Sequence, residues 1–217
     1  MPHTPSAHAY SYLNLPEIAF LDAAVSRLIP QDELGPGAKE ADVTYYIDQQ
    51  LVSVWGTHGR NYRQGPWLEG TPQQGFQSRL TPQEIYRAAI RDTNEYCLKQ
   101  FNVRFDFLKE EAQLEVLKGL ESGSILLPHV SAKLFFDLLW KNTEEGFFAD
   151  PLYGGNRDKV GWRLLGFPGV ASGAYAAHID NPTLYQAEPV SILDIKKGQA
   201  SLDAQGYVKH VMIRKGT

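Results

Sequence analysis

One cysteine, Cys97, stands among the 217 residues. A single thiol excludes an internal disulfide and any metal site built from cysteines. No apolar run approaches the ~20 residues that carry a helix across a bilayer. No Lys/Arg run exceeds two residues and the formal net charge is −4, so the basic footprint of a nucleic-acid binder is missing. There is no G-x-S-x-G, and Gly154-Gly155 is not part of a G-x-G-x-x-G, which removes the usual signatures of a serine hydrolase and a dinucleotide fold. The six histidines, His3, His8, His58, His129, His178 and His210, include no pair at ligand spacing on a predicted helix, and a zinc site needs convergent ligands.

What is present suits one globular domain with an extension. Apolar residues make up 43% of the chain and charged ones 21%, an ordinary composition for a packed core. Asn14-Leu15-Pro16-Glu17 reads as a helix start, with Asn14 as cap and Glu17 three residues on. Phe20, Leu21, Ala24, Val25 and Leu28 then recur at helical spacing. A second helix is expected from about Ala38, with Val43, Tyr46, Ile47 and Leu51 inward. Thr81-Pro82-Gln83-Glu84 is a capping box with proline at the first helical position, predicting helix to about Lys99. Further helices are expected over about 110–120, with Leu114, Leu117 and Leu120 inward, and through "VSAKLFFDLLWKNTEEGFF". Cys97 falls mid-helix, where a free thiol is a small core residue; a bond from it to another subunit is the alternative.

Residues 55–80 are rich in glycine and also carry Trp55, Tyr62, Trp67 and Phe76. A loop of this length in a compact domain is functional or disordered, and the aromatics argue for order. The second such stretch is "GFFADPLYGGNRDKVGW", Gly146 to Trp162. Beyond it the helical period fades. A short hairpin around Gln205-Gly206 is the one regular feature expected there. The fold class is therefore mainly α: about five helices, long aromatic and glycine-rich loops, and an irregular C-terminal arm. The divisions are a flexible tail over 1–13, a helical domain over 14–169, and an extended arm over 170–217. Ala7-His8-Ala9 has the small-x-small form of a cleaved export signal and equally that of a plain tail.

Two functional readings come from the residues. Asp150, Asp158 and Glu145 around the second stretch could do paired acid–base work if burial separates their pKa values. Alternatively, the aromatics Trp55, Trp67, Phe147, Phe148, Tyr153 and Trp162 either cover helix ends as core or clip residues or form a protein interface, for which Trp, Tyr and Arg are the favoured residues. The interface candidates are Trp55, Tyr62, Trp67, Tyr153, Gly154, Gly155, Asn156, Arg157, Asp158 and Trp162. In either reading Gly154 and Gly155 allow a turn where a side chain would clash.

Three segments carry a resemblance: "RLIPQDELGPGAKEADVTYYIDQQL", "YRQGPWLEGTPQQGFQSRLTPQEIYRAAI" and "NTEEGFFADPLYGGNRDKVGWRLLGFPG". In this order they resemble the small (gamma) subunit of membrane-bound, flavin-dependent gluconate 2-dehydrogenase, over roughly residues 13–169. The resemblance implies a non-catalytic subunit with no cofactor of its own. Its implied partners are a large FAD flavoprotein of the glucose–methanol–choline type, which performs the chemistry, and a multi-haem cytochrome c subunit. It further implies maturation and twin-arginine export of the flavoprotein and a periplasmic site, peripheral to the inner membrane through the complex. No Arg-Arg pair occurs in the sequence. The run "VASGAYAAHIDNP" departs from the gluconate dehydrogenase pattern. The sugar is thus open among gluconate, 2-ketogluconate, fructose, sorbitol and glucosides. A contribution to the flavin site from the Trp55–Phe76 loop or the C-terminal arm is a further expectation.

Overall fold

The computed structural model describes residues 8–60, 62–68, 70–74, 77–176 and 178–213. It is mainly helical, and no strand occurs among the described residues. The five longer helices are α1 (Leu15–Leu28), α2 (Val43–Val52), α4 (Pro82–Phe101), α5 (Glu110–Ser122) and α6 (Ala132–Phe148). Shorter ones are α3 (Val54–Thr57), α7 (Val160–Leu165), α8 (Ser172–Ala176) and α9 (Ile192–Lys196). None is long and apolar enough to cross a membrane.

Local sequence explains the clearest boundaries. Asn14 accepts from the Glu17 N–H at 3.0 Å while Glu17 accepts from the Asn14 N–H at 2.9 Å. Thr81 and Glu84 repeat this reciprocal cap on α4. Both boxes satisfy amides that a helix start leaves without partners. α4 ends on Asn102 and α5 on Gly123, each in the left-handed region, as helix ends commonly do.

α1 lies at the centre of the bundle, touching α2, α4, α5 and α6. Phe20 of α1 meets Phe105 at 4.6 Å between ring centroids. Tyr86 of α4 sits edge-on to Phe135 of α6 at 5.5 Å. All four rings are fully buried, each contributing on the order of 2 kcal/mol of apolar burial. The Tyr86 hydroxyl keeps a partner in the core by donating to Asn142 Oδ1 at 2.7 Å.

The structure departs from the sequence expectations at three places. Residues 38–42 do not begin α2. They form a tight turn in which Ala38 N–H donates to the Ile29 carbonyl at 2.8 Å and Asp42 adopts φ 59°. On α5, Leu114 is exposed and Gln113 takes the inward place beside Val116, Leu117 and Leu120. Its amide is accepted into the core because it donates to the Phe105 carbonyl at 3.2 Å. The third departure is the end of the expected flexible tail. The N–H groups of Ser11, Tyr12 and Leu13 all donate to the buried Asp48 carboxylate, at 2.8, 2.9 and 2.9 Å, and His8 stacks on Tyr45 at 4.1 Å. His3 and Ala7 lie outside the described residues. Cys97 is wholly buried, as expected of a core thiol, which closes off the alternative of a bond from it to another subunit. In the arm, Leu202 and Val208 bridge antiparallel around Gly206 at φ 87°, which is the expected hairpin turn in minimal form.

Candidate functional site

The segment from Asp150 to Trp162 folds as two short 3-10 turns, Pro151–Tyr153 and Arg157–Lys159, joined by the glycine pair. Asp150 opens the first by accepting the Leu152 N–H at 2.9 Å. Gly154 has φ 102°, and a Cβ on Gly155 would stand 2.1 Å from the Gly146 carbonyl oxygen. That backbone contact admits only glycine. Asn156 follows in the left-handed region at φ 47°, fully buried. Its Nδ2 donates to the Ala149 carbonyl at 2.8 Å and its Oδ1 accepts the Gly161 N–H at 2.9 Å. One amide side chain thereby ties both ends of the loop together. The Arg157 N–H reaches the Ala41 carbonyl at 3.1 Å, fastening the loop to the turn before α2. Trp162 closes the segment: its indole N–H donates to the Phe148 carbonyl at 2.7 Å and its ring stands edge-on to Phe167 at 5.2 Å.

The charged groups are mostly engaged with the fold. The second Asp150 oxygen accepts the Ile192 N–H at 2.7 Å. Lys159 Nζ donates to Asp194 at 2.7 Å. Burial alone would raise the Asp194 carboxyl, but the Lys159 bond and the Ser191 N–H and hydroxyl outweigh it and hold the carboxyl below its usual range. A polar cleft of about 870 Å³ opens over these groups, with Tyr45, Gln49, Tyr153 and Asp158 on its walls. Glu145 stands apart on α6, accepting from Asn142 Nδ2 at 3.2 Å and, more loosely, from the Tyr46 hydroxyl at 3.5 Å. Burial, and then the Glu145 charge, push the Tyr46 phenol up, so it remains a donor.

This arrangement corrects the acid–base reading of Asp150, Asp158 and Glu145. Asp150 accepts backbone amides with both oxygens, Glu145 sits in a tyrosine–asparagine network, and the Asp158 side chain is 76% exposed. The three do not meet in one pocket. Among the described residues, no group of three or more His, Cys, Asp or Glu is placed to hold a metal ion.

The interface candidates divide by burial. Tyr62, Trp67, Tyr153 and Asp158 face solvent, while Trp55, Gly154 and Arg157 are half-buried. Gly155, Asn156 and Trp162 are buried within this chain; Gly155 and Asn156 shape the loop, while Trp162 also lends one edge to an open groove. Phe76 lies outside the described residues. The sequence also concealed an apolar groove of about 770 Å³ against the outer edge of Trp162. Leu165, Phe167, Tyr175, Ile179 and Leu184 line it, and Ile179 and Leu184 are 67% and 72% exposed. Such a cluster of large exposed apolar side chains marks an interaction surface in soluble chains.

A family model described as gluconate 2-dehydrogenase subunit 3 matches residues 16–169. The chain belongs to that family. A search of curated proteins and a search of solved structures each returned no match. The span matched by the gluconate 2-dehydrogenase subunit 3 model runs from the start of α1 to Gly169, and so contains the bundle and the glycine-pair loop. The groove straddles its end: Trp162, Leu165 and Phe167 lie inside, Tyr175, Ile179 and Leu184 beyond.

Three polar pairings went unseen in the sequence: Asp48 with the residue 11–13 amides, Lys159 with Asp194, and Asp92 with His129. Each joins segments 35 or more residues apart. The one local signal they leave is an aspartate on the inward stripe of a helix: Asp48 beside the buried Ile47 and Leu51, and Asp92 on the same face as the buried Ala89.

Proposed function

We propose that this chain is the non-catalytic small subunit of a gluconate 2-dehydrogenase-type complex. It binds the FAD-bearing flavoprotein and supports its maturation and export, and the complex passes electrons through a multi-haem cytochrome c partner. The chain would then work in the periplasm, peripheral to the inner membrane, with FAD and haem c held by its partners. Fructose, sorbitol, 2-ketogluconate or a glucoside in place of gluconate is the alternative for the flavoprotein's substrate.

The observation that carries the reading is how the glycine-pair loop is used within the family-matched span. Its aspartate, asparagine and lysine hold backbone and neighbouring segments in place, while the apolar groove beside it stays open. A catalytic loop would leave converging titratable groups in a pocket; a docking subunit leaves exposed apolar and aromatic surface.

Co-purification tests it. The chain is expressed untagged with the tagged flavoprotein encoded beside it, and each is expressed alone. Co-elution at a fixed ratio, with greater flavin loading and activity than the flavoprotein reaches alone, is the expected result. A flavoprotein fully loaded and active by itself, with no co-eluting chain, overturns the reading.

A further inference from the structure

A separate face of the chain gathers cations around His129. The His129 ring Nδ1 lies 3.0 and 3.1 Å from the two Asp92 oxygens, and the His129 N–H donates to the same carboxylate at 3.1 Å. Asp92 is buried on α4, whereas the His129 side chain is 59% exposed. Because Nδ1 is taken by the carboxylate, Nε2 is the nitrogen left for a ligand. Two adjoining pockets, of about 690 and 570 Å³, share His129, Leu80 and Glu84. Arg63, Arg79 and Trp67 line the first; Arg87, Arg91 and Tyr12 line the second.

Three of the four guanidinium groups are already fixed along part of their donor edge. Arg63 donates to the Arg79 carbonyl, Arg87 to Glu17 and the Tyr12 carbonyl, and Arg91 to Asp92. Arg63 lies over the Trp67 ring and Arg87 over the Tyr12 ring, at 5.8 and 4.3 Å. Each guanidinium has five donors in a rigid fork, so pinning one edge aims the rest without further loss of rotamer freedom. The Asp92 and Glu17 carboxylates that pair with these arginines are buried beneath them. Glu84 is the exposed carboxylate on this face. Its carboxyl is held low first by the Thr81 N–H and hydroxyl, and also by the Arg63 and Arg79 charges.

The paired openings exceed what one small anion fills, and aromatic rings border them. Arginine, tryptophan and tyrosine together are the residues that anchor protein interfaces. We propose that this face docks an acidic segment of a protein partner, its carboxylates on Arg63, Arg79 and Arg91 and its apolar atoms on Trp67 and Tyr12. The inference rests on reading the chain as a partner-binding subunit and names the chemistry of one contact.

The test uses Arg79→Glu and Arg91→Gln, with Lys118→Glu as a control: Lys118 is exposed on α5, pairs with Glu115 and lines neither pocket. Melting temperatures confirm that the variants fold. Affinity for the tagged flavoprotein is measured at low and high salt. Arg79→Glu should weaken binding about tenfold and flatten its salt dependence, as loss of a steering charge does, with Lys118→Glu matching the unmodified chain. In parallel, a glutamate-rich peptide is titrated into the isolated chain; it should bind, and lose affinity on Arg79→Glu. Unchanged affinity and salt slope in both variants overturns the proposal. Binding of free gluconate in place of the peptide also overturns it, because the face is then a small-anion site. If the unmodified chain fails to bind the flavoprotein, the proposed function falls, and the peptide titration alone decides this face.

Discussion

Asp150 accepts the backbone N–H of Ile192 at 2.7 Å across 42 residues of chain. With its other oxygen it accepts the Leu152 N–H, so one carboxylate both starts the glycine-pair loop and anchors the first turn of α9. Asp150→Ala should release the arm near residue 192 and cost about 1–3 kcal/mol, the range for leaving amides without acceptors. Limited proteolysis should cut the variant's arm first while the helical bundle stays resistant. An arm as resistant as in the unmodified chain would mean the anchor lies elsewhere.

Neighbouring loop positions should respond very differently to alanine. On Gly155 the new Cβ would lie 2.1 Å from the Gly146 carbonyl, and neither backbone can yield without opening the turn. Gly155→Ala should cost roughly 3 kcal/mol or more, the upper end of overpacking. The Asp158 side chain is 76% exposed, and its residue already adopts φ 55°; Asp158→Ala should cost about 1 kcal/mol, mainly from the left-handed backbone. Chemical denaturation of the two variants measures this. If Asp158→Ala is the more damaging, the side chain has a role that its exposure does not show.

A pH dependence should localise to α9. The Asp194 carboxyl titrates lower in the folded chain than unfolded, because the Lys159 and Ser191 bonds overcome its burial. Its stabilising effect is therefore fully present above the unfolded carboxyl value, ~4, and is lost as pH falls through the lower folded value. Asp22 works in the opposite sense. Burial pushes its carboxyl up, so its contribution is present at low pH and declines as pH rises through the folded value. A global melt mixes the two, so amide exchange in residues 192–196 is the readout. Protection there should fall on acidification, and Lys159→Met should lessen that fall.

The parts of this fold written locally were legible, and the parts written at long range were not. The caps on α1 and α4 lie within four residues and show in the sequence as Asn14/Glu17 and Thr81/Glu84. The need for small residues at Gly154 and Gly155 was equally visible, since turns announce themselves by composition. The direction of side chains in that loop was hidden. Asn156 and Trp162 point inward because of carbonyls at Ala149 and Phe148, and the sequence does not reveal which carbonyls a turn leaves open. The start of α2 was misplaced because Asp42, a residue with a Cβ, adopts a left-handed conformation that helical patterning does not anticipate. Gln113 displaced Leu114 from the core through a hydrogen bond to Phe105, which apolar counting cannot register. The His129 face escaped notice for the same reason: its arginines are scattered from residue 63 to 91 and meet only in three dimensions.

Cys97 gives a final check on the helical core. It is fully buried on α4, and burial pushes its thiol up to about 12. Alkylation needs the thiolate and access to it, and both are withheld in the folded chain. Iodoacetamide at neutral pH should leave native Cys97 unmodified over times that fully label the denatured chain. The same protection should persist in the complex with the flavoprotein, with no disulfide-linked band on a non-reducing gel. Rapid native labelling, or a band that reductant removes, would show that α4 opens or that the thiol reaches the surface, contrary to the packing around it.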